Sequence, residues 1–562
     1  MSSLNKDHPP STHTLFLNAT IIDGSGNTPR CIGSLLIQNS KIHTIRPVPS
    51  AYTDDELIQA RATGVRIINC ENGHWTLSPA FIDMHAHSDL ALLHTPTHEA
   101  KITQGVMTEV IGQDGISYAP VDDGAMRRIR EQIAGWNGDP DEQDYPGFWG
   151  RWRTVGEYLG VLDGEGVATN VAYLVPQGNL RGLVKGWDGG LASGEEVGVM
   201  KGGLRWCLQE GAVGMSRVWG GGGNYCPHTK SYGKEALRAY GEMIQIARET
   251  GVRLHLTHAT MNYGENAGRA GESIEMVDEA IEEGVDVTLD TYPYLPGSTT
   301  LASTLPSWAA SADDKLALLN DPESLAKIKH QALHTGTDGC HGMTLQWDIL
   351  EISGVSKPEL ASKYVGKTLA QIAKEQYQDP FETYIQILKA DTFNSTILSH
   401  SGHEGNVRNI MRHPRHTGGS DGILTSTKPH SRGWGTFPRY LGHYARDLPN
   451  GKSRNIYHAT SNSSFDDVAL EVVFKGGLEE AVAHVTSRAA AVIGARGRGM
   501  VREGYWADLV LFDAGEVRDV ATYKEPKQAA RGIRGGEGLV TGRRAGRTVR
   551  TRNEGDGGWE VS

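Results

Sequence analysis

Apolar positions in this chain follow two alternating periods. Short runs of β character, FIDMHAH, TEVIG, NVAYLV, AVGMS, NYCPH, VRLHLTH, VDVTLDTYPY and TGGSD, are separated by helical stretches. LRAYGEMIQIARETG and GESIEMVDEAIEEG are two of these, the latter with apolar residues three to four apart. Alternating strand and helix predicts a parallel sheet. Eight such strands close a (β/α)8 barrel, an α/β fold whose active site lies at the strands' C-terminal ends. The block 301–393 has helix patterns of its own (DKLALLN, SLAKIKHQAL, TLAQIAKEQY) and falls between the last two strands, which predicts a lid over the barrel mouth. At the two ends of the chain, LFLNATIIDGSGN, CIGSLLIQNSKIHTI and GYWADLVLFDAG read as short strands broken by turn signals. They predict one small β-domain assembled from both termini, with 1–78 and 490–562 (including a tail) flanking a barrel over 79–489.

One connection breaks the pattern. Between GAVGMSRV and NYCPH the chain offers roughly six residues around WGGGG, where a parallel crossover needs about a dozen. Either one of these segments is not a barrel strand or a helix is missing.

Composition narrows the function classes. The 70 glycines among 562 residues exceed the usual ~7% and have no collagen period, which suits turns and close backbone approaches. A net charge of -12 without a basic stripe disfavours nucleic acid. The five scattered cysteines form no CxxC pair, so neither a disulfide framework nor a thiolate zinc site is indicated. The polar start MSSLNKDHPPSTH has no secretory h-region, and no apolar run reaches the ~18 residues that span a bilayer. These features lead to the expectation of a reduced, cytoplasmic enzyme with a small-molecule substrate.

The chemistry gathers at strand ends. In FIDMHAHSD, His85 and His87 stand two apart, so period-two alternation puts both imidazoles on one face. Paired neutral imidazoles suit a borderline metal such as zinc. HxH also arises by chance in a chain with 22 histidines. However, NYCPH ends at His228 and VRLHLTH at His258, which makes four imidazoles at three strand tips. His255 should lie a layer deeper in a structural role. The last strand delivers Asp421 in TGGSDG. A carboxylate there can take a proton from metal-activated water and return it to a leaving group; by itself the tripeptide could equally be a turn.

PAFIDMHAHSD, QGVMTEVIGQDG, LTH, LDTYPYLPGSTT, GGSDG with GTFPRYLG, and GYWADLVLFD, in that order over about residues 14–545, resemble the D-aminoacylases (N-acyl-D-amino-acid deacylases) of the amidohydrolase superfamily. The resemblance implies a (β/α)8 barrel with a composite β-sandwich. It implies one or two Zn2+ held by His85, His87, His228 and His258, with Asp421 catalytic. It also implies deacylation of an N-acyl amino acid substrate.

Three departures qualify the likeness. The turn after the second strand carries Asp114 where the family has a cysteine ligand; a carboxylate can also ligate or bridge, as a harder donor. Thr260 stands where the family commonly has a lysine for the substrate carboxylate, which leaves Arg217, Lys230, Arg432 and Arg439 as candidates. The Trp219–Gly223 link is roughly thirty residues shorter than in relatives. A cyclic-amide hydrolase resembling hydantoinases is one alternative, although GAVGMS lacks their usual lysine. The other is a non-catalytic barrel, which the short link favours and the retained histidines oppose.

Overall fold

The computed structural model describes residues 13–50, 52–140, 146–187, 190–216, 224–450, 472–534, 539–540, 550–551 and 559–560. Arg217, the 217–223 link and most of the C-terminal tail lie outside the described residues.

Eight parallel strands form the central sheet: β1 (Phe81–Asp83), β2 (Val106–Ile111), β3 (Asn170–Pro176), β4 (Gly214–Ser216), β5 (Asn224–Cys226), β6 (Arg253–Leu256), β7 (Val287–Thr291) and β8 (His416–Gly418). Successive strands are neighbours in the sheet, and every pairing is parallel. A parallel bridge between Ala86 and Gly422 joins the first strand to the last, and the Asp421 N–H donates to the His85 carbonyl at 2.8 Å. The expected barrel is present, and this closure brings the HxH pair against Asp421. β4 and β5 pair in register, Gly214 to Asn224 and Ser216 to Cys226, so both disputed segments are barrel strands.

The elements follow from their sequences. VMTEVI in β2 and NVAYLVP in β3 are buried at every position, as strands covered on both faces must be. Helix Ala236–Thr250 buries Ala239, Tyr240, Met243, Ile244 and Ala247, a single apolar stripe. Thr154 with Glu157 and Ser193 with Glu196 make capping boxes that start two of the outer helices.

Both termini contribute to a seven-stranded sheet. Its N-terminal members include His13–Ile21, Cys31–Gln38 and Trp75–Pro79, and its C-terminal members are Leu509–Asp513 and Leu539–Val540. Trp75–Pro79 pairs antiparallel with Leu509–Asp513, and Phe16, Leu35, Leu77, Leu509 and Leu511 are buried together beneath. The insert has its own core, including Leu301, Ile352, Tyr384 and Ile397. Its boundaries run wider than 301–393, because Gly297–Thr300 pairs antiparallel with Thr396–Ser399 at its base. The hydroxyl-rich run GSTT gives no apolar signal for a strand. Among the described residues, no helix is long and apolar enough to cross a membrane.

Candidate metal centre

Each expected site residue sits at or just beyond a strand tip. The backbone there is unusual: Asp114, His258 and Asp421 have φ of +57°, +32° and +48°. Non-glycine residues held at positive φ gather at functional sites, where the surrounding structure must enforce them. Glycines allow the close approaches this requires. A Cβ on Gly112 would lie 2.2 Å from the Leu174 carbonyl oxygen, and one on Gly419 would lie 2.7 Å from Asp290 Oδ1 and 3.0 Å from the His85 Cβ.

The side chains converge in two groups that share Asp114. His85, His87, Asp114 and Asp421 form one, and Asp114, His228 and His258 the other; within each, the donor atoms that could hold a metal ion lie within 4.8 Å of one another. The Nε2 atoms of His85 and His87 are 3.3 Å apart. Asp114 Oδ1 is 3.7 Å from His85 Nε2, 3.1 Å from His228 Nδ1 and 3.3 Å from His258 Nε2, and its Oδ2 is 3.4 Å from His87 Nε2. Asp421 Oδ1 is 3.1 Å from His87 Nε2. Asp114 thus occupies the bridging position, and Asp421 stands among the first group rather than apart from it. His255, as expected, is structural: its Nε2 is 2.8 Å from Asp290 Oδ2, while Asp290 Oδ1 accepts the His258 N–H at 2.9 Å.

The donor set fits a divalent cation. Burial would push both carboxyls up. At Asp114 the histidines 228, 258 and 85 outweigh it, and at Asp421 the Arg432 guanidinium does, so both carboxyls are held well below the usual range. Burial depresses His85 to about 3, whereas hydrogen bonds to Asp114 and Asp421 overcome it at His87 and raise that imidazole to about 10. Two ionised carboxylates therefore demand positive charge here: a proton on His87 meets that demand, and a divalent cation would meet it instead as the ring gave up the proton. Tyr232 hydroxyl, 2.6 Å from His258 Nδ1, orients that ring with Nε2 toward the cluster.

Behind the HxH pair lies a buried charge network that the sequence reading missed. Lys101, Asp83 and Glu109 are all fully buried. Asp83 Oδ1 accepts the N–H groups of His85 (3.2 Å) and Ser420 (2.8 Å), and Lys101 Nζ meets Asp83 Oδ2, Ser420 Oγ and Glu109 Oε2. Burial opposes the Lys101 ammonium, but the Asp83 and Glu109 charges outweigh it and raise its pKa. His98 Nε2 closes the network, 2.6 Å from Glu109 Oε1. The only sequence sign is a lysine within an otherwise ordinary helical turn. Lys101→Met should cost about 3–5 kcal/mol, because it leaves buried carboxylates without their cation. Denaturant titration checks this, and an unchanged midpoint would refute the bridging role.

Above the cluster opens a cavity of about 390 Å³, lined in part by Trp136, Lys230, Tyr292 and residues of the insert. Of the basic candidates among the described residues, Lys230 lines it, with Nζ 2.5 Å from Glu242. Arg439 pairs with Asp519 at 3.1 Å and lies over Tyr294. Arg432 is fully buried, its Nη2 2.8 Å from Asp421 Oδ2 and its guanidinium 4.4 Å from the Tyr292 ring centroid. That contact is a close ion pair without the alignment of a hydrogen bond.

Comparison with known proteins points to one family. The chain is 28% identical to a D-aminoacylase of Alcaligenes xylosoxydans xylosoxydans over 95% of its own length and 97% of that protein. It is also 28% identical to an N-acyl-D-glutamate deacylase of the same organism, over 91% and 90%. Among solved structures, an N-acyl-D-glutamate deacylase from Bordetella bronchiseptica, complexed with zinc and a phosphonate inhibitor, superposes with a TM-score of 0.72 at 25% identity, covering 96% of this chain and 99% of that one. The amidohydrolase family model matches residues 195–549, more than half of the sequence. The chain belongs to the amidohydrolase family.

Proposed function

We propose that this protein is a zinc-dependent hydrolase that cleaves the linear amide of N-acyl-D-amino acids, releasing a carboxylate and a free D-amino acid. The observation that carries the reading is the convergence of four imidazoles and two carboxylates from β1, β2, β5, β6 and β8 on one point at the barrel mouth. The names of the relatives narrow the substrate class.

His85, His87, Asp114, His228 and His258 would hold one or two zinc ions. Bound zinc supplies a Lewis acid that acidifies water and polarises the scissile carbonyl. Arg432 occupies Oδ2 of Asp421 and leaves Oδ1 directed at the cluster. That oxygen accepts the proton of the attacking water as the O–C bond forms, and returns it to the amine nitrogen as the C–N bond breaks.

Metal analysis of the purified protein, with amine release from N-acetyl-D- and N-acetyl-L-amino acids assayed alongside, tests the proposal. The expected result is about one or two zinc per chain, as four-ligand sites of this kind hold. Release should be D-selective, lost on chelation and restored by zinc. A protein that binds no zinc and releases no amine would be the non-catalytic barrel instead.

A further inference from the structure

The cavity lining combines two chemistries. Part of the lining is apolar, from Ile116, Trp136 and Ile423, with the Trp136 ring centroid 5.4 Å from that of His87. A polar wall, from the loops after β6 and β7 and from the insert, presents Thr260, Asn262, Ser298, Thr299, Ser303 and His341. Outside the metal cluster, the charged side chains that line the cavity among the described residues are Lys230 and Asp338. Lys230 is engaged by Glu242, and Asp338 Oδ1 accepts the N–H groups of Ser307 (2.8 Å) and Gly339 (3.1 Å). Among the described residues the wall therefore offers polar groups and no unengaged charge.

His341 gives this wall a direction. Its carbonyl is fixed by the Ser231 hydroxyl at 3.0 Å, and its ring packs edge-on against Tyr232, with centroids 5.0 Å apart. Nδ1 is buried without a hydrogen-bond partner, so Nε2 is the nitrogen that meets the cavity. An unpaired buried N–H is rarer than an unpaired acceptor, which places the proton of the neutral ring on Nε2. Burial pushes the imidazole down to about 3, with His228 and His258 adding to the effect, so the ring is uncharged at neutral pH.

We propose that the insert selects substrates with an uncharged carboxamide side chain, with His341 donating through Nε2 to its carbonyl oxygen and the wall hydroxyls accepting from its NH2. This rests on the deacylase reading above. A carboxylate side chain would lose its hydration without gaining a free cation among the described residues, and an aliphatic one would displace water from His341 Nε2 without replacing its hydrogen bond. The hydroxyl protons of Thr260, Thr299 and Ser303 are spent on Asn262 Oδ1, Ser303 Oγ and the Thr300 carbonyl, which leaves their oxygens as acceptors. A carboxamide brings both an acceptor and two donors.

The test compares kcat/KM of the zinc-loaded full chain on N-acetyl-D-glutamine, N-acetyl-D-asparagine, N-acetyl-D-glutamate and N-acetyl-D-leucine. The carboxamides should exceed the other two by at least about tenfold. His341→Leu should lower the better carboxamide by about tenfold and leave N-acetyl-D-alanine, which is too short to reach the wall, within about twofold. His341→Asn, at ease at the positive φ of this position, should behave likewise and separates loss of the donor from a folding defect. Preference for glutamate or leucine overturns the assignment, as does an equal loss on alanine and carboxamide in both variants. Release from none of these substrates overturns the deacylase reading, and the assignment with it.

Discussion

Asp421→Asn should lower kcat by about 10²–10⁴-fold, the usual value of a positioned acid–base group, while bound zinc stays close to the unmodified level. Asparagine keeps the shape of the side chain and an oxygen near His87, but it cannot take up a proton. The four histidines and Asp114 remain to hold metal. The same substitution has a second consequence. Arg432 is fully buried and its charge faces Asp421 at 2.8 Å, so neutralising the aspartate strands a guanidinium, at a cost of about 3–5 kcal/mol. Asp421→Asn/Arg432→Met should regain most of that stability and none of the turnover. Together, kcat, metal content and the denaturation midpoint separate the two effects. Near-normal turnover in a metal-replete Asp421→Asn protein would remove the aspartate from the chemistry.

The barrel was legible because its signal is local. Each strand is a short apolar run ending in a polar tip, and each outer helix carries its own stripe, so the eight strands could be read in order from the sequence. The composite β-domain was legible for the same reason, from LFLNATII at one end and LVLFD at the other. The base of the insert was not, because GSTT pairs through its backbone and carries no apolar alternation. The short connection between β4 and β5 posed a sharp question from length alone. The in-register pairing of the two strands answers the half that concerns their identity.

For the site, residues that meet at strand tips were readable, while residues that meet from behind were not. HxH, His228, His258 and Asp421 each end a strand, so topology alone brings them together. Lys101 joins Asp83 and Ser420, residues 18 and 319 positions away, and no periodicity marks such a meeting. Arg432 was visible only as one of four basic candidates. Its pairing with Asp421 depends on how the helix Arg432–Arg439 returns to the barrel mouth. His341 lies in a turn of the insert, where sequence offers only a histidine beside a glycine.

Asp114→Ala should empty the centre more thoroughly than loss of any single histidine, because Asp114 belongs to both ligand groups. Each histidine removed leaves one group whole; removing Asp114 leaves the first with His85, His87 and Asp421, and the second with His228 and His258 alone. The expected fall in zinc affinity exceeds the ~10–100-fold that loss of an outer-shell partner costs, and metal content after dialysis measures it. Full zinc occupancy with normal turnover would rule out the ligand role. Asp114→Cys separates charge from donor type. A thiolate keeps the negative charge and softens the donor, so zinc should be retained and favoured over manganese relative to the aspartate form. The backbone works against that change: at φ +57° aspartate is among the few side chains that sit comfortably, and cysteine is not. Asp114→Cys should therefore bind zinc more selectively in a less stable protein, whereas a turn that needed only its shape would show the instability without the shift in metal preference.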